Sequence, residues 1–214
     1  MRIKVCGITS LQDAEAAQRL GAWAIGLNHH RESPRFVAPD VAVEIGAALK
    51  RRCEVAGVFV NAPLGEIERA AEAEQLTILQ LHGGEGPAFC AEAARRTGCK
   101  VIKALRVRSA ADVRAADAYR TDYHLLDAYR PGRPGGTGES FDWELAAHHA
   151  PAIPLILAGG LRAENVVDAI AAAQPFAVDV ASGVESEPGR KDPARLEQFF
   201  EQANSGAPTG SAAR

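Results

Sequence analysis

The sequence predicts an α/β protein folded as a single-domain (β/α)8 barrel. Short apolar, β-branched runs alternate along the chain with Ala/Leu/Glu/Arg-rich stretches, and no two strand-like runs are adjacent. Such alternation builds an all-parallel sheet whose crossovers are helices. The chain has 214 residues, close to the lower limit of roughly 200 for eight βα units. Its longest loops, Asn28–Ala38 and Ala128–Ser140, follow strands rather than helices. The carboxyl ends of strands are where barrels and open α/β sheets place their sites. An open doubly wound sheet meets the same alternation and is the rival fold.

The strands expected in order are Ile3–Cys6, Ala22–Leu27, Glu54–Val60, Ile78–Leu81, Lys100–Leu105, Tyr123–Asp127, Leu155–Ala158 and Phe176–Val180. The first helix begins near Ser10, with Asp13 three residues on at capping-box spacing. The others begin near Pro39, Pro63, Pro87, Ser109, Phe141, Ala163 and Asp192. A proline is tolerated at a helix start because that N–H has no intrahelical partner. Residues 1–204 make the barrel. The Gly/Ser/Ala-rich tail Ser205–Arg214 reads as disordered.

Composition narrows the function classes. With 47% apolar and 24% charged residues the chain is an ordinary globular protein. The formal charge is -3 and basic residues are scattered, so neither nucleic acid nor an anionic membrane is a partner. Four cysteines (Cys6, Cys53, Cys90, Cys99) form no CxxC pair and read as reduced thiols. The N-terminus MRIKVCGITS lacks a signal-peptide core, and no run of about 18 apolar residues exists to span a membrane. The expected compartment is the cytoplasm. No long apolar surface helix stands out, and the expected state is a monomer.

The candidate chemistry sits at strand ends. Alternation puts Lys4 and Cys6 on the barrel-facing side of the first strand, with Ile3 and Val5 under the helices. A free cysteine is commonly a small buried apolar residue. Its place at a strand end beside a lysine supports a second reading, a thiolate acting as base or nucleophile. Asp127 ends the sixth strand after two leucines, where aspartate is a poor strand former. It is either a loop cap or a functional carboxylate. Asp179 lies within the eighth strand between two valines. A buried carboxylate needs a partner, which Lys4 supplies if the first and eighth strands adjoin.

Three glycine-bearing segments follow the sixth, seventh and eighth strands: Gly135-Gly136-Thr137-Gly138, Gly159-Gly160 and Ser182-Gly183. Glycine lets backbone N–H groups approach an anion closely. The last two segments match the phosphate site that barrels build after strands 7 and 8. Arg35, in Ser33-Pro34-Arg35, is a solvated loop residue or a fork for a carboxylate. Gln80 and His82 share a face at the end of the fourth strand and line the pocket. His29-His30 and His148-His149 are adjacent pairs. Adjacent side chains do not share a face, so no metal site is expected.

Lys4-Val5-Cys6-Gly7-Ile8-Thr9, Ser33-Pro34-Arg35, Gln80-Leu81-His82-Gly83, Leu126-Asp127, Gly135-Gly136-Thr137-Gly138, Ala158-Gly159-Gly160-Leu161 and Asp179-Val180-Ala181-Ser182-Gly183-Val184-Glu185 occur in this order. Together they resemble the phosphoribosylanthranilate isomerase family, across about residues 2–202. The resemblance implies a (β/α)8 barrel without metal or cofactor. It implies an Amadori rearrangement of the phosphosugar N-(5-phosphoribosyl)anthranilate to 1-(2-carboxyphenylamino)-1-deoxyribulose 5-phosphate, a step of tryptophan biosynthesis. Asp127 would be the general acid and Cys6 the base, which asks for a raised carboxyl pKa and a lowered thiol pKa. Arg35 would bind the anthranilate carboxylate, and Asp179 ribose hydroxyls or the intermediate. Gly159, Gly160, Ser182 and Gly183 would hold phosphate through backbone groups. Two departures stand out: Asn28-His29-His30 replaces an aromatic-containing stretch, and Ala181 replaces a serine.

Related phosphate-binding barrels fit less well. Indole-3-glycerol-phosphate synthase needs an N-terminal extension carrying a lysine and glutamate set. Ribulose-phosphate 3-epimerase needs metal-ligand histidines at strand ends. The histidine-pathway isomerase uses two aspartates, against which Cys6 argues. The second phosphate of its substrate would have only Arg130, Arg133 and the glycines after the sixth strand. A non-catalytic phosphate-sugar binder would have lost Cys6 or Asp127, and both are present.

Overall fold

The computed structural model describes residues 1–127, 143–150 and 152–206. The expected loop residues Arg130, Arg133 and Gly135–Gly138, the helix start near Phe141, and the tail from residue 207 onward lie outside them.

Eight parallel strands close into one barrel in sequence order: β1 Arg2–Cys6, β2 Ala24–Asn28, β3 Glu54–Phe59, β4 Ile78–Leu81, β5 Lys100–Arg106, β6 Tyr123–Asp127, β7 Leu155–Ala158 and β8 Ala177–Val180. The open-sheet alternative is thereby excluded, because β8 pairs with β1. The helices are α1 Leu11–Arg19, α2 Pro39–Leu49, α3 Leu64–Ala73, α4 Pro87–Thr97, α5 Ala110–Ala115, α6 Val166–Ala173 and α7 Pro193–Ser205. Within the described residues the β6–β7 crossover holds a 3-10 helix, Trp143–His148, where an α-helix was expected. The last helix runs one residue past the expected barrel boundary at 204.

Strand alternation separates two cores. Ile3, Val5, Ile25, Leu27, Leu79, Leu81, Val178 and Val180 face outward and pack under the helices with Ala17, Ile45, Ile67 and Phe199. Ala56, Ile78, Ile102, Ala104, Leu125, Ile156, Ala158 and Ala177 fill the barrel interior. The amino end of the interior is closed by Trp23, Tyr123 and Phe176, whose ring centroids lie 5.4–5.6 Å apart. The Arg2 guanidinium stacks 4.3 Å over Phe176. With that end plugged, the inward polar residues Lys4, Cys6, Gln80, Asp127 and Asp179 can meet solvent only at the carboxyl end.

Local signals set the helix starts. Ser10 accepts the Asp13 N–H at 3.2 Å, as its spacing predicts. The reciprocal bond does not form, because the Asp13 carboxylate accepts the Lys191 N–H at 3.0 Å instead. A full capping box forms at Ser109 and Asp112. Pro39, Pro87 and Pro193 occupy first helical positions, and Asp192 caps α7. The helix expected near Ala163 starts at Val166, because the Asn165 side chain is spent bridging the Arg162 N–H and the Gly160 carbonyl. A short antiparallel hairpin, β9 Glu185–Glu187 with β10 Arg190–Lys191, sits beyond β8. Its charged residues carry no strand signal.

Candidate active site

Every described candidate residue lies on or just after the carboxyl end of a strand. Lys4 and Asp179 are register partners across the β1–β8 closure. The Lys4 ammonium donates to Asp179 Oδ1 at 2.9 Å, with the lysine wholly buried and the aspartate 8% exposed. Burial alone would push the Lys4 pKa down, but Asp179 and the Cys6 sulfur outweigh it and hold the ammonium charged. Burial pushes the Asp179 carboxyl above its ordinary value against the pull of Lys4. At 2.9 Å the pair is held as an ion pair.

Cys6 lies two residues along the same face as Lys4. The floor beneath them is Gly26, opposite Cys6 on β2. A Cβ at Gly26 would lie 2.8 Å from Cys6 Sγ and 3.0 Å from Lys4 Nζ. Only glycine lets sulfur and ammonium share that floor. The thiol pKa runs opposite to what the neighbouring lysine alone would favour. Burial raises it, Lys4 pulls it down, and the like charge of Asp179 raises it again. The free protein therefore holds Cys6 as a thiol.

Across the mouth, Gln80 Nε2 lies 3.2 Å from His82 Nδ1, and His82 Nε2 lies 3.4 Å from Asp127 Oδ2. With Gln80 donating to Nδ1, the imidazole carries its proton on Nε2 and donates towards Asp127. Gln80 is fully buried and His82 part-exposed, so the relay is anchored inside and ends at the opening.

Arg35 is placed at the rim but is not a free fork. Its Nε lies 2.9 Å from Glu185 Oε1 and 3.1 Å from Oε2, and its Nη2 lies 2.6 Å from Oε2. Its aliphatic stem covers Gly7, where a Cβ would come within 2.6 Å of Arg35 Cδ. Glu185 is held below the usual carboxylate range: burial raises it, but Arg35 and Lys191 outweigh that. Lys191, also buried, donates to Glu185 Oε1 at 2.9 Å and to the Cys6 carbonyl at 2.6 Å. Sequence reasoning missed Lys191 and the role of Glu185. The signal available was two oppositely charged residues flanking Gly189, a turn glycine with φ +86°.

The phosphate candidates sit side by side after β7 and β8. Gly159 and Gly160 both have positive φ, 92° and 67°. Gly183 has no room for a side chain, because a Cβ there would strike the Leu161 carbonyl. That carbonyl comes from the β7 loop, so the missing side chain lets the two loops touch. Among the described residues no acceptor takes the N–H of Gly160, Ser182 or Gly183. Convergent, unpaired N–H groups are what an anion needs.

The chain was compared with known proteins. The family model described as N-(5′-phosphoribosyl)anthranilate (PRA) isomerase matches residues 3–202. The N-(5′-phosphoribosyl)anthranilate isomerase of Geobacter metallireducens is 45% identical over 203 residues, covering 95% of this chain and 98% of that protein. The crystal structure of phosphoribosyl anthranilate isomerase from Thermotoga maritima has a TM-score of 0.86 at 39% identity, covering 96% of this chain and 99% of the other. A second phosphoribosyl anthranilate isomerase structure, in complex with reduced 1-(o-carboxyphenylamino)-1-deoxyribulose 5-phosphate, has a TM-score of 0.84 at 37% identity with the same coverage.

Proposed function

The chain belongs to the N-(5′-phosphoribosyl)anthranilate isomerase family and is an isomerase of tryptophan biosynthesis; on that premise we propose that it works by general acid–base catalysis with Asp127 as the acid and Cys6 as the base. The observation that carries this reading is their placement. The two groups end β6 and β1, both inward, at the carboxyl end of the barrel, the end that is open among the described residues.

The substrate phosphate binds the N–H groups of Gly159, Gly160, Ser182 and Gly183, which fixes one end of the ribose. Asp179 meets ribose hydroxyls from below. Arg35 meets the anthranilate carboxylate through Nη1, since Nε and Nη2 are held by Glu185. Protonated Asp127 gives its proton to the furanose oxygen, the C1′–O bond breaks, and a Schiff base forms. His82 engages Oδ2, which leaves Oδ1 for that transfer. Cys6 first loses its thiol proton to water at the open mouth, the thiolate then takes the C2′ proton, and the enolamine tautomerises to the ketone. Acid–base steps of this kind contribute about a hundred- to ten-thousand-fold each.

Residues 1–204 form the catalytic unit and 205–214 a tail outside it. The chain acts as a monomer in the cytoplasm. Among the described residues, Val43 is the one large apolar side chain that is exposed, and no helix there is long and apolar enough to cross a membrane.

The test is turnover of freshly generated N-(5′-phosphoribosyl)anthranilate, followed by loss of its fluorescence. The native chain converts it, and Asp127→Asn loses at least about a hundredfold in kcat. An active Asp127→Asn removes Asp127 as the acid.

A further inference from the structure

We propose that Lys4 is a positioning residue that sets the charge on the Cys6 sulfur, and that Asp179 governs how much of the Lys4 charge the sulfur receives. The proposal rests on reading Cys6 as the base and deepens it.

The geometry brings three groups to one floor. The Lys4 ammonium is wholly buried, 2.9 Å from Asp179 Oδ1, and it shares the floor over Gly26 with Cys6 Sγ. An ammonium in that position has two anions to serve, a carboxylate already present and a thiolate that forms. The other charged groups facing the sulfur are otherwise committed. Lys191 donates to the Cys6 carbonyl, not to its sulfur, and is paired with Glu185. Arg35 is held by the same Glu185. Lys4 is therefore the one cation among the described residues whose charge can be redistributed towards Cys6. Where a ribose hydroxyl donates to Asp179, the carboxylate's claim on Lys4 falls and the thiolate's rises. Substrate binding would then prepare its own base.

A purely structural Lys4–Asp179 pair predicts something different. Losing either partner would loosen the same site and change thiol reactivity in the same direction. A shared counter-ion predicts opposite signs.

The experiment is the rate of Cys6 alkylation by iodoacetamide at about pH 7.5, read by peptide mass spectrometry, with Cys53 and Cys99 in the same digest as references. Asp179→Asn should speed Cys6 labelling about threefold or more, and Lys4→Met should slow it about tenfold, one unit of thiol pKa being tenfold in thiolate. Lys4→Met leaves Asp179 without its partner and can fail to fold. The double variant Lys4→Met/Asp179→Asn removes that problem, and it should label about tenfold more slowly than Asp179→Asn alone. The pH midpoint of labelling should lie about one unit higher in the double variant than in Asp179→Asn. Labelling that moves in one direction in both single variants, or a double variant within twofold of Asp179→Asn, overturns the proposal. Turnover of Cys6→Ala keeps the two readings apart. If that variant is active Cys6 is not the base, whereas the labelling rates test Lys4 either way.

Discussion

Two glycine pairs sit three strands apart around the barrel mouth, and the chain treats them differently. Gly83-Gly84 follows β4, and its backbone is filled from within. Glu85 accepts the Asn61 N–H at 2.7 Å, the Gly83 N–H at 2.8 Å and the Lys103 ammonium at 2.9 Å. Asn61 Oδ1 takes the Gly84 N–H at 2.7 Å. Gly159-Gly160, facing Ser182-Gly183, has no such internal anion among the described residues. The first arrangement is a clamp; the second leaves its N–H groups open, as the proposed phosphate site requires. In sequence both are a glycine pair after a strand. What separates them is where the N–H groups go, which is a question of complete pairing rather than of motif.

The contrast can be broken most forcefully at the clamp. Glu85→Ala leaves a buried ammonium and two N–H groups without their partner. It should cost about 3–5 kcal/mol of stability in denaturant unfolding, while the folded fraction keeps its kcat. A loss below about 1 kcal/mol would make the clamp ornamental. On the open side, a Cβ at Gly160 meets nothing within 4 Å, so Gly160→Ala costs only the strain of a positive φ, about 1–2 kcal/mol; turning that N–H off the phosphate should lower kcat/KM about thirty- to hundredfold, since hydrogen bonds to a charged group contribute about 1.5–3 kcal/mol. Equal damage to stability from both substitutions would erase the distinction.

Acid sharpens the same comparison. The Glu85 carboxyl is held below its ordinary value: burial raises it, but Lys103 and the backbone N–H groups outweigh that. Its contribution to stability is therefore full above the unfolded carboxylate range and is lost as pH falls through the folded value. A second acid-sensitive contact lies behind β6, where His124 Nδ1 and His149 Nε2 are 2.9 Å apart. Burial lowers both pKa values, so the folded state holds both neutral. Stability should begin to fall below about pH 6.5, the ordinary histidine value. Melting temperatures between about pH 7.5 and pH 5 should drop less in His149→Gln than in the native chain. The smallest effect belongs to the surface. Removing the Arg96–Glu68 pair, 41% and 28% exposed, should cost less than about 1 kcal/mol.

Much of the frame was legible from sequence because its signals are local. Alternation placed Lys4 and Cys6 inward, Asp127 stood out at a strand end and Asp179 between two valines, and prolines and cap residues marked helix starts to within about three residues. The Lys4–Asp179 pair was legible because barrel closure brings the first and last strands together. Arg35–Glu185 was not, since 150 positions separate the two and neither belongs to the barrel sheet. The thiol pKa was not legible for a related reason. Sequence shows that a lysine is near Cys6, but not that Asp179 already holds it or that burial dominates. Gly26 escaped notice because a glycine inside a strand signals little until the sulfur and ammonium beside it are seen.

The most direct test of the account is the Cys6→Ala variant, measured for turnover and for affinity towards a phosphate-bearing product analogue. The account predicts a loss of at least about a hundredfold in kcat, with affinity within about twofold of the native chain, because the phosphate is held on the β7–β8 side. A variant with native turnover would contradict it and leave Cys6 as packing at the end of a strand.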